Sequence, residues 1–361
     1  MIITLLSNFK EDARLSMDNY RDLLFNNYLN NNKFDIKKFI PAKSNFLNSI
    51  RYSRYIEYPE IIKKINSNIF HIVEDGYAHL IKSLDSRKAI ISVFDLIPLV
   101  FWKKNFYLTK PPLFYLYSLS YLKFFKTIIA CSDNTKKDLI NLCKIKEERI
   151  KKIYYPVQKE YKIFSKEKKI FYKKKHNFDK DYFYILLTGK DFYKNHLRAL
   201  KALSTLIQEG FKIKIVKLGP PYKDWLDEIK KLNIESSVIY FSKYLSNHEI
   251  CEIYNICDLL FFPSLYEGFG LPVAESMACG LPVLSSQEGS LKEIAGGCSI
   301  ITNPYDIYDM KKKLIKLIKY KDLRYKLISL GLKNSKRFSE KSFFDSHENI
   351  YDSLNNFFYD N

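Results

Sequence analysis

The chain has 361 residues, of which 47% are hydrophobic and 27% charged, so it can bury a core for about two domains and is not disordered as a whole. With 11 Gly, 12 Pro and 6 Cys it is neither collagen-like nor a disulfide scaffold. The net charge of +19 invites a nucleic acid or an anionic membrane as partner, yet only 9 of the 59 basic residues are Arg.

In chain order, apolar runs at 2–7, 34–40, 68–73, 89–94, 126–131 and 150–154 predict strands. Helices are predicted between them, notably at 16–29 and 133–143. The stretch 160–180 is Lys-rich and aperiodic, which predicts a linker. Strand and helix then alternate more regularly. Strand 182–188 ends at Gly189, and helix 196–209 carries Leu197, Leu200, Leu203, Leu206 and Ile207 at helical spacing. Strand 212–218, helix 223–233, strand 237–241, helix 247–256 and strand 258–262 follow. A helix from Leu271, a strand at 282–285 and a helix at 306–319 complete the series. Such alternation implies parallel βαβ units with helices on both faces of each sheet. The expected architecture is α/β, two doubly wound Rossmann-like domains facing across a cleft at the carboxyl ends of their strands. The N-terminal domain is expected at 1–165, the C-terminal domain at 166–340, and a helix at 341–361 packing back on the first.

No transmembrane helix is expected: the longest apolar stretch, 89–102, contains Asp95 and falls short of the roughly 20 residues a span needs. The first residues lack a basic region and a small-residue cleavage site and read as a strand. The six cysteines show no CxxC or Cys/His metal spacing, which fits a reducing cytoplasm.

Glycine is scarce, so its placement is informative. Gly268, Gly270, Gly280, Gly289, Gly296 and Gly297 crowd into thirty positions, and Gly189 and Gly219 each close a strand-like run. Tight turns or close backbone approach to a ligand are expected there. Glu267 lies on the loop after a strand, and Gly268 and Gly270 leave backbone N–H groups bare at a helix start, a terminus that favours an anion. Glu275 follows one turn into that helix. Alone it would need no more explanation than a favourable place in the helix dipole; here both carboxylates can border one pocket and accept from paired hydroxyls.

The run Glu267-Gly-Phe-Gly-Leu-Pro-Val-Ala-Glu275-Ser-Met-Ala-Cys-Gly-Leu-Pro-Val closely resembles the E-x7-E signature of retaining family 4 glycosyltransferases, glycosyl transferase group 1, which have the GT-B fold. The resemblance extends to Gly289-Ser-Leu-Lys-Glu-Ile-Ala-Gly296 and to the basic loop Leu187-Thr-Gly-Lys-Asp-Phe-Tyr-Lys-Asn195. In the first half it reaches Ser92-Val-Phe-Asp-Leu-Ile-Pro-Leu99 and Ile129-Ala-Cys-Ser-Asp-Asn-Thr-Lys-Lys-Asp-Leu139. It implies that Glu275 bonds the nucleotide ribose, Glu267 holds hydroxyls of the donor sugar and Lys194 neutralises the departing diphosphate. Gly268, Phe269, Gly270 and Leu271 would present their backbone to the donor, as would Gly189. Lys190 stands where many relatives carry a phosphate-binding Arg, and Ser242 falls beside the nucleobase.

On the acceptor side the resemblance points to Tyr77, His79 and Asp95, with His71 nearby. It also shows two departures: Phe94 replaces a His common in relatives, and the loop at 10–17 lacks their paired glycines. The implied activity is transfer of a hexose, mannose-like as a first guess, from a GDP- or UDP-linked sugar to a glycan or lipid-linked acceptor. Cell-surface polysaccharide or lipopolysaccharide synthesis is its expected setting. No metal and no cofactor are expected, and no nucleic acid. Contact with the inner membrane face is expected through the aromatic and Lys-rich segments 101–110 and 119–126. A sugar-nucleotide epimerase or hydrolase on the same fold, or a basic nucleic-acid binder, are the rival readings.

Overall fold

The computed structural model describes residues 1–12, 15–29, 33–43, 49–103, 111–243 and 245–359, with backbone alone at 15 and 356–359. Part of the loop at 10–17 and most of the segment 101–110 therefore lie outside the described residues. The chain divides into two compact units, Met1–Tyr154 together with Lys341–Asn361, and Tyr155–Glu340.

Unit 1 holds a parallel sheet of β1 (Ile2–Leu6), β2 (Asp35–Phe39), β3 (Ile69–Ile72), β4 (Ala89–Val93), β5 (Thr127–Ala130) and β6 (Ile150–Lys152), in the order β2-β1-β3-β4-β5-β6. Parallel sheets are covered on both faces, and β4 accordingly reads as an unbroken buried run, Ala-Ile-Ile-Ser-Val. One face packs Leu6, Ile72, Ile91, Ile128 and Leu139 into an apolar core. Each such side chain contributes about 1.5–3 kcal/mol on burial.

The other face carries a polar seam. His71 of β3 bonds Ser92 Oγ of β4 through Nε2 and the Tyr351 hydroxyl through Nδ1, both at 2.8 Å. The Tyr20 hydroxyl, from helix Leu15–Tyr28, meets Ser92 Oγ at 2.8 Å and His347 Nε2 at 2.7 Å. His347 and Tyr351 belong to the last helix, Glu340–Tyr359, which closes this face. His71 is thus engaged with that helix rather than with an acceptor pocket. Burial holds the His347 ring down to about pKa 4 and the His71 ring well below the usual value.

Unit 2 holds β7 (Phe183–Thr188), β8 (Ile213–Leu218), β9 (Val238–Phe241), β10 (Leu259–Phe262), β11 (Val283–Ser285) and β12 (Ile300–Ile301), again all parallel, in the order β12-β11-β10-β7-β8-β9. Its core gathers Leu187, Leu203, Trp225, Phe261 and Leu314. Helix Asn247–Ile256 starts with a capping box: Ser246 accepts from the Glu249 amide, and the Glu249 carboxylate accepts from the Ser246 amide.

The boundary between the units falls at Tyr154/Tyr155, eleven residues before the expected 165/166. The stretch expected as a linker contains a helix, Lys166–Lys175, capped by Ser165 and belonging to unit 2. Its sequence, Lys-Glu-Lys-Lys-Ile-Phe-Tyr-Lys-Lys-Lys, buries no residue, so no periodic apolar face announces it.

Candidate active site

In a doubly wound sheet a crevice opens at the carboxyl edge where the winding reverses. In unit 2 the chain proceeds β7-β8-β9 to one side and then returns to lay β10 against the other side of β7. The loops that follow β7 and β10, at 189–195 and 263–270, therefore flank the crevice.

Those two loops meet through a buried ion pair. Lys194 Nζ lies 2.8 and 3.0 Å from the two carboxylate oxygens of Glu267, with the side chains only 13% and 7% exposed. Gly189, at φ +88°, makes room for the lysine: a Cβ there would meet Lys194 Cε at 3.0 Å. The Lys194 ammonium also lies 4.9 Å from the centre of the Phe262 ring, a cation–π distance. Asn195 fixes the end of the first loop. It adopts φ +60°, and its side-chain amide donates to the carbonyls of Pro263 at 3.0 Å and Pro304 at 2.6 Å. The Leu265 amide donates to the Tyr193 carbonyl at 2.7 Å.

The Glu267 backbone is gripped from the loop at 286–290. The Ser290 amide and hydroxyl both donate to the Glu267 carbonyl at 3.1 Å, and the hydroxyl also donates to the Phe269 carbonyl at 2.7 Å. Gly289, at φ +61°, approaches so closely that a Cβ would lie 2.4 Å from the Glu267 carbonyl oxygen. Gly289→Ala should lower kcat/KM for whatever reaction Glu267 serves by at least tenfold, read in steady-state assays beside an unchanged unfolding cooperativity.

Glu275 sits in helix Leu271–Ala278 and accepts from the Tyr254 hydroxyl at 2.9 Å, with the Tyr161 hydroxyl, which donates to Asn247 at 3.3 Å, close by. Desolvation pushes its carboxyl up to about pKa 7, against the lowering effect of the two hydroxyls.

Residues 168–333 match the family described as glycosyl transferases group 1. The match falls wholly within unit 2. The chain is 29% identical over 262 residues to the serotype-specific mannosyltransferase WbdA of Escherichia coli, a match covering 70% of this chain and 32% of WbdA. It thus spans about a third of the length of that relative. It is 26% identical to the E. coli O-antigen chain mannosyltransferase B over 43% of this chain and 42% of the relative. Among solved structures it resembles sucrose-phosphate synthase of Thermosynechococcus elongatus, with TM-score 0.80, 13% identity and 98% and 99% of the two chains covered. Anabaena HepE in complex with UDP and glucose gives 0.77, 16%, 97% and 99%, and the lipopolysaccharide glycosyltransferase WaaG gives 0.73, 16%, 97% and 99%. These likenesses agree with the two parallel, doubly wound sheets.

Within unit 2, Gly189, Lys194, Glu267, Gly268 and Gly270 are brought together on the two crevice loops and the helix start. Gly270 takes φ +94° as the residue before helix Leu271–Ala278. Leu271 opens that helix and is half-buried, whereas the Phe269 ring packs inward, 5.5 Å from Phe338. Lys190 and Ser242 are exposed on the loops after β7 and β9. Glu275 is engaged by tyrosines rather than by the Lys194–Glu267 pair.

Sequence reasoning missed Lys217. This β8 residue is fully buried, and its ammonium donates to the carbonyls of Gly189 at 2.5 Å and Leu218 at 3.1 Å, which pins the start of the Lys194 loop. Burial brings its pKa down to about 8. Nearby His196, with Nε2 3.1 Å from the Thr188 carbonyl, is held at about pKa 3 by burial and by the Lys217 charge.

In unit 1 the winding reverses between β1 and β3. At that edge the Tyr77 hydroxyl accepts from the Phe9 amide at 3.1 Å and donates to Asp12, which also pairs with Arg54. Tyr77 is therefore a brace for the loop after β1. Asp95 caps helix Ile97–Lys103 by accepting from the Ile97 amide at 3.0 Å. His79 lies beside Tyr77, with ring centres 6.1 Å apart. It is 1% exposed, with Nδ1 on Ser118 Oγ at 2.9 Å and Nε2 on the Arg54 carbonyl at 3.1 Å, and burial lowers its pKa to about 4. Phe94 packs edge-on against Tyr20 at 4.9 Å.

Proposed function

We propose that the protein is a retaining glycosyltransferase that needs no metal. Its donor is a GDP- or UDP-linked hexose, mannose first, and its acceptor a glycan or lipid-linked sugar in cell-surface polysaccharide synthesis. The observation that carries this reading is the buried Lys194–Glu267 pair at the switch point of unit 2, just before the start of helix Leu271–Ala278, which has no side-chain cap. Two mannosyltransferases among the relatives support the choice of sugar. No described helix is long and apolar enough to cross a membrane. Work at the inner membrane face would therefore be peripheral.

In this scheme the diphosphate lies on the Lys194 ammonium and the Gly268 and Gly270 amides, while Glu267 accepts from sugar hydroxyls. The bond between the anomeric carbon and the phosphate oxygen breaks, and its electron pair stays with the diphosphate. Lys194 meets the growing negative charge, a preorganised electrostatic role of the kind that dominates many enzymes. The acceptor oxygen bonds the anomeric carbon on the same face, and its proton passes to the departing phosphate oxygen. Glu275 accepts from the ribose. Unit 1 supplies the acceptor side. There Ser7 Oγ and Asn8 Oδ1, at the carboxyl end of β1, are buried without a hydrogen-bond partner among the described residues.

The first test is a thermal-shift panel of GDP, UDP, ADP and their sugars. One nucleotide should raise Tm through linkage, and Glu275→Ala should abolish that shift. No shift with any of them would sink the reading, and donor turnover without an acceptor would favour a hydrolase. Because the folded carboxyl of Glu275 titrates near 7, a ribose hydroxyl that donates to it should favour the ionised form. Nucleotide binding at pH 7 should therefore release a fraction of a proton, seen as a dependence of calorimetric enthalpy on buffer ionisation heat, and should tighten from pH 6 to 8.

A further inference from the structure

At the amino-terminal edge of the unit 2 sheet, opposite the crevice, lies a cavity of about 580 Å³. Asp258 and Pro282, which immediately precede β10 and β11, form its floor, and helices Lys166–Lys175 and Lys321–Ser335 form its sides. Five cations line it, Lys166, Lys169, Lys173, Lys321 and Arg324, against one carboxylate, Asp258. That carboxylate cannot balance them. It lies 3.8 Å from Lys173 Nζ and also accepts from the Tyr184 amide. Arg324 is directed at the carbonyls of Leu317 and Ile318.

Lys169 is the telling member. It is half-buried, its ammonium makes no hydrogen bond or ion pair with any described residue, and desolvation lowers its pKa. A cation taken partly out of water without an anion costs free energy that a folded chain ordinarily avoids. An incoming anion recovers that cost. Beside Asn255, the residues Phe164, Ile170, Tyr325 and Ile328 add apolar surface to the lining. Ile170 and Phe171 are 60% and 63% exposed on the helix that carries three of the lysines.

We propose that this cavity is a binding site for a phosphorylated ligand with an apolar body, its phosphate or diphosphate held by Lys166, Lys169 and Lys321. Phosphate chemistry fits because a group with two or more negative charges can face several ammonium groups at once. The attached body would cover apolar surface that is now wet, Ile170 and Tyr325 among it, as ligands of such sites generally do. The site is independent of the transferase reading, since it shares no residue with the crevice.

Calorimetric titration of the full chain with sodium pyrophosphate tests a soluble source. One equivalent should weaken at least tenfold in Lys166→Gln/Lys169→Gln and persist in Lys194→Met. Flotation with vesicles of phosphatidylglycerol and phosphatidylcholine tests a lipid headgroup, and the same double variant should lose it if the headgroup is the ligand. Lys166 is exposed and Lys169 half-buried with an unpaired charge, so the variant's circular dichroism should match the wild type and its Tm should not fall. If the double variant alters neither the titration nor the flotation, the proposal is overturned. A single pyrophosphate equivalent that vanishes only in Lys194→Met, with flotation unchanged in the double variant, assigns the anion to the crevice and overturns it as well.

Discussion

Lys194→Met should cut turnover by about 10²–10³-fold, the usual cost of removing one preorganised charge at a developing anion. The same change should also destabilise unit 2, because Glu267 stays buried after its cation is gone. Breaking a buried pair from one side costs about 3–5 kcal/mol, and these side chains are 13% and 7% exposed. The two effects can be separated. Lys194→Met/Glu267→Gln removes both charges and should recover most of the lost stability in urea denaturation, yet remain as inactive as the single variant. Recovery of activity in the double variant would reduce the pair to a structural clamp and remove the main support for the proposed chemistry.

The second large effect is acid lability of unit 1. Three of its histidines, His71, His79 and His347, are buried with pKa values below the ordinary 6.5, the last two at about 4. A base depressed in the folded state binds its proton more tightly in the unfolded chain. Stability is therefore complete above about pH 6.5 and declines as pH falls toward 4. For His347 alone the loss is about 2 kcal/mol by pH 5. Domains typically have only about 5–15 kcal/mol of stability, so several such losses are a large share of it. Urea midpoints measured from pH 7.5 to 5 should fall steeply for unit 1 probes, and His347→Gln should flatten part of that slope while lowering the midpoint at pH 7.5. A midpoint independent of pH in this range would show that the rings are hydrated and free to titrate.

The elements of the fold were legible because strands buried on both faces read as continuous apolar runs. Ala89–Val93 and Leu259–Phe262 stand out at sight. The crevice was legible because a chain poor in glycine places it where the backbone needs positive φ, as at Gly189, Gly270 and Gly289. Lys217 was overlooked: in Ile-Lys-Ile-Val-Lys-Leu it lies three positions from Lys214 and so on the opposite face of the strand, and in a sheet covered on both faces nothing local says what would receive its ammonium. The helix Lys166–Lys175 was not legible, since it has no apolar stripe to betray it. The tyrosines on Glu275 and the helix partners of His71 come from 114 to 280 positions away or from another element entirely, as with Tyr254 at a separation of 21 and Tyr351 at 280. Such partners are set by tertiary packing and leave no local trace.

Unit 1 is built from two stretches of chain separated by all of unit 2. During synthesis the helix Glu340–Tyr359 emerges only after the ribosome has traversed the intervening domain, roughly 10–40 s at ordinary elongation rates. Throughout that interval the face bearing His71, Ser92 and Tyr20 has no cover, so the first domain to be made is the last to be finished. Unit 2 can fold as a continuous segment while unit 1 waits. The nascent chain should therefore acquire protease resistance from its middle outward, with chaperone dependence concentrated on the uncovered sheet of unit 1.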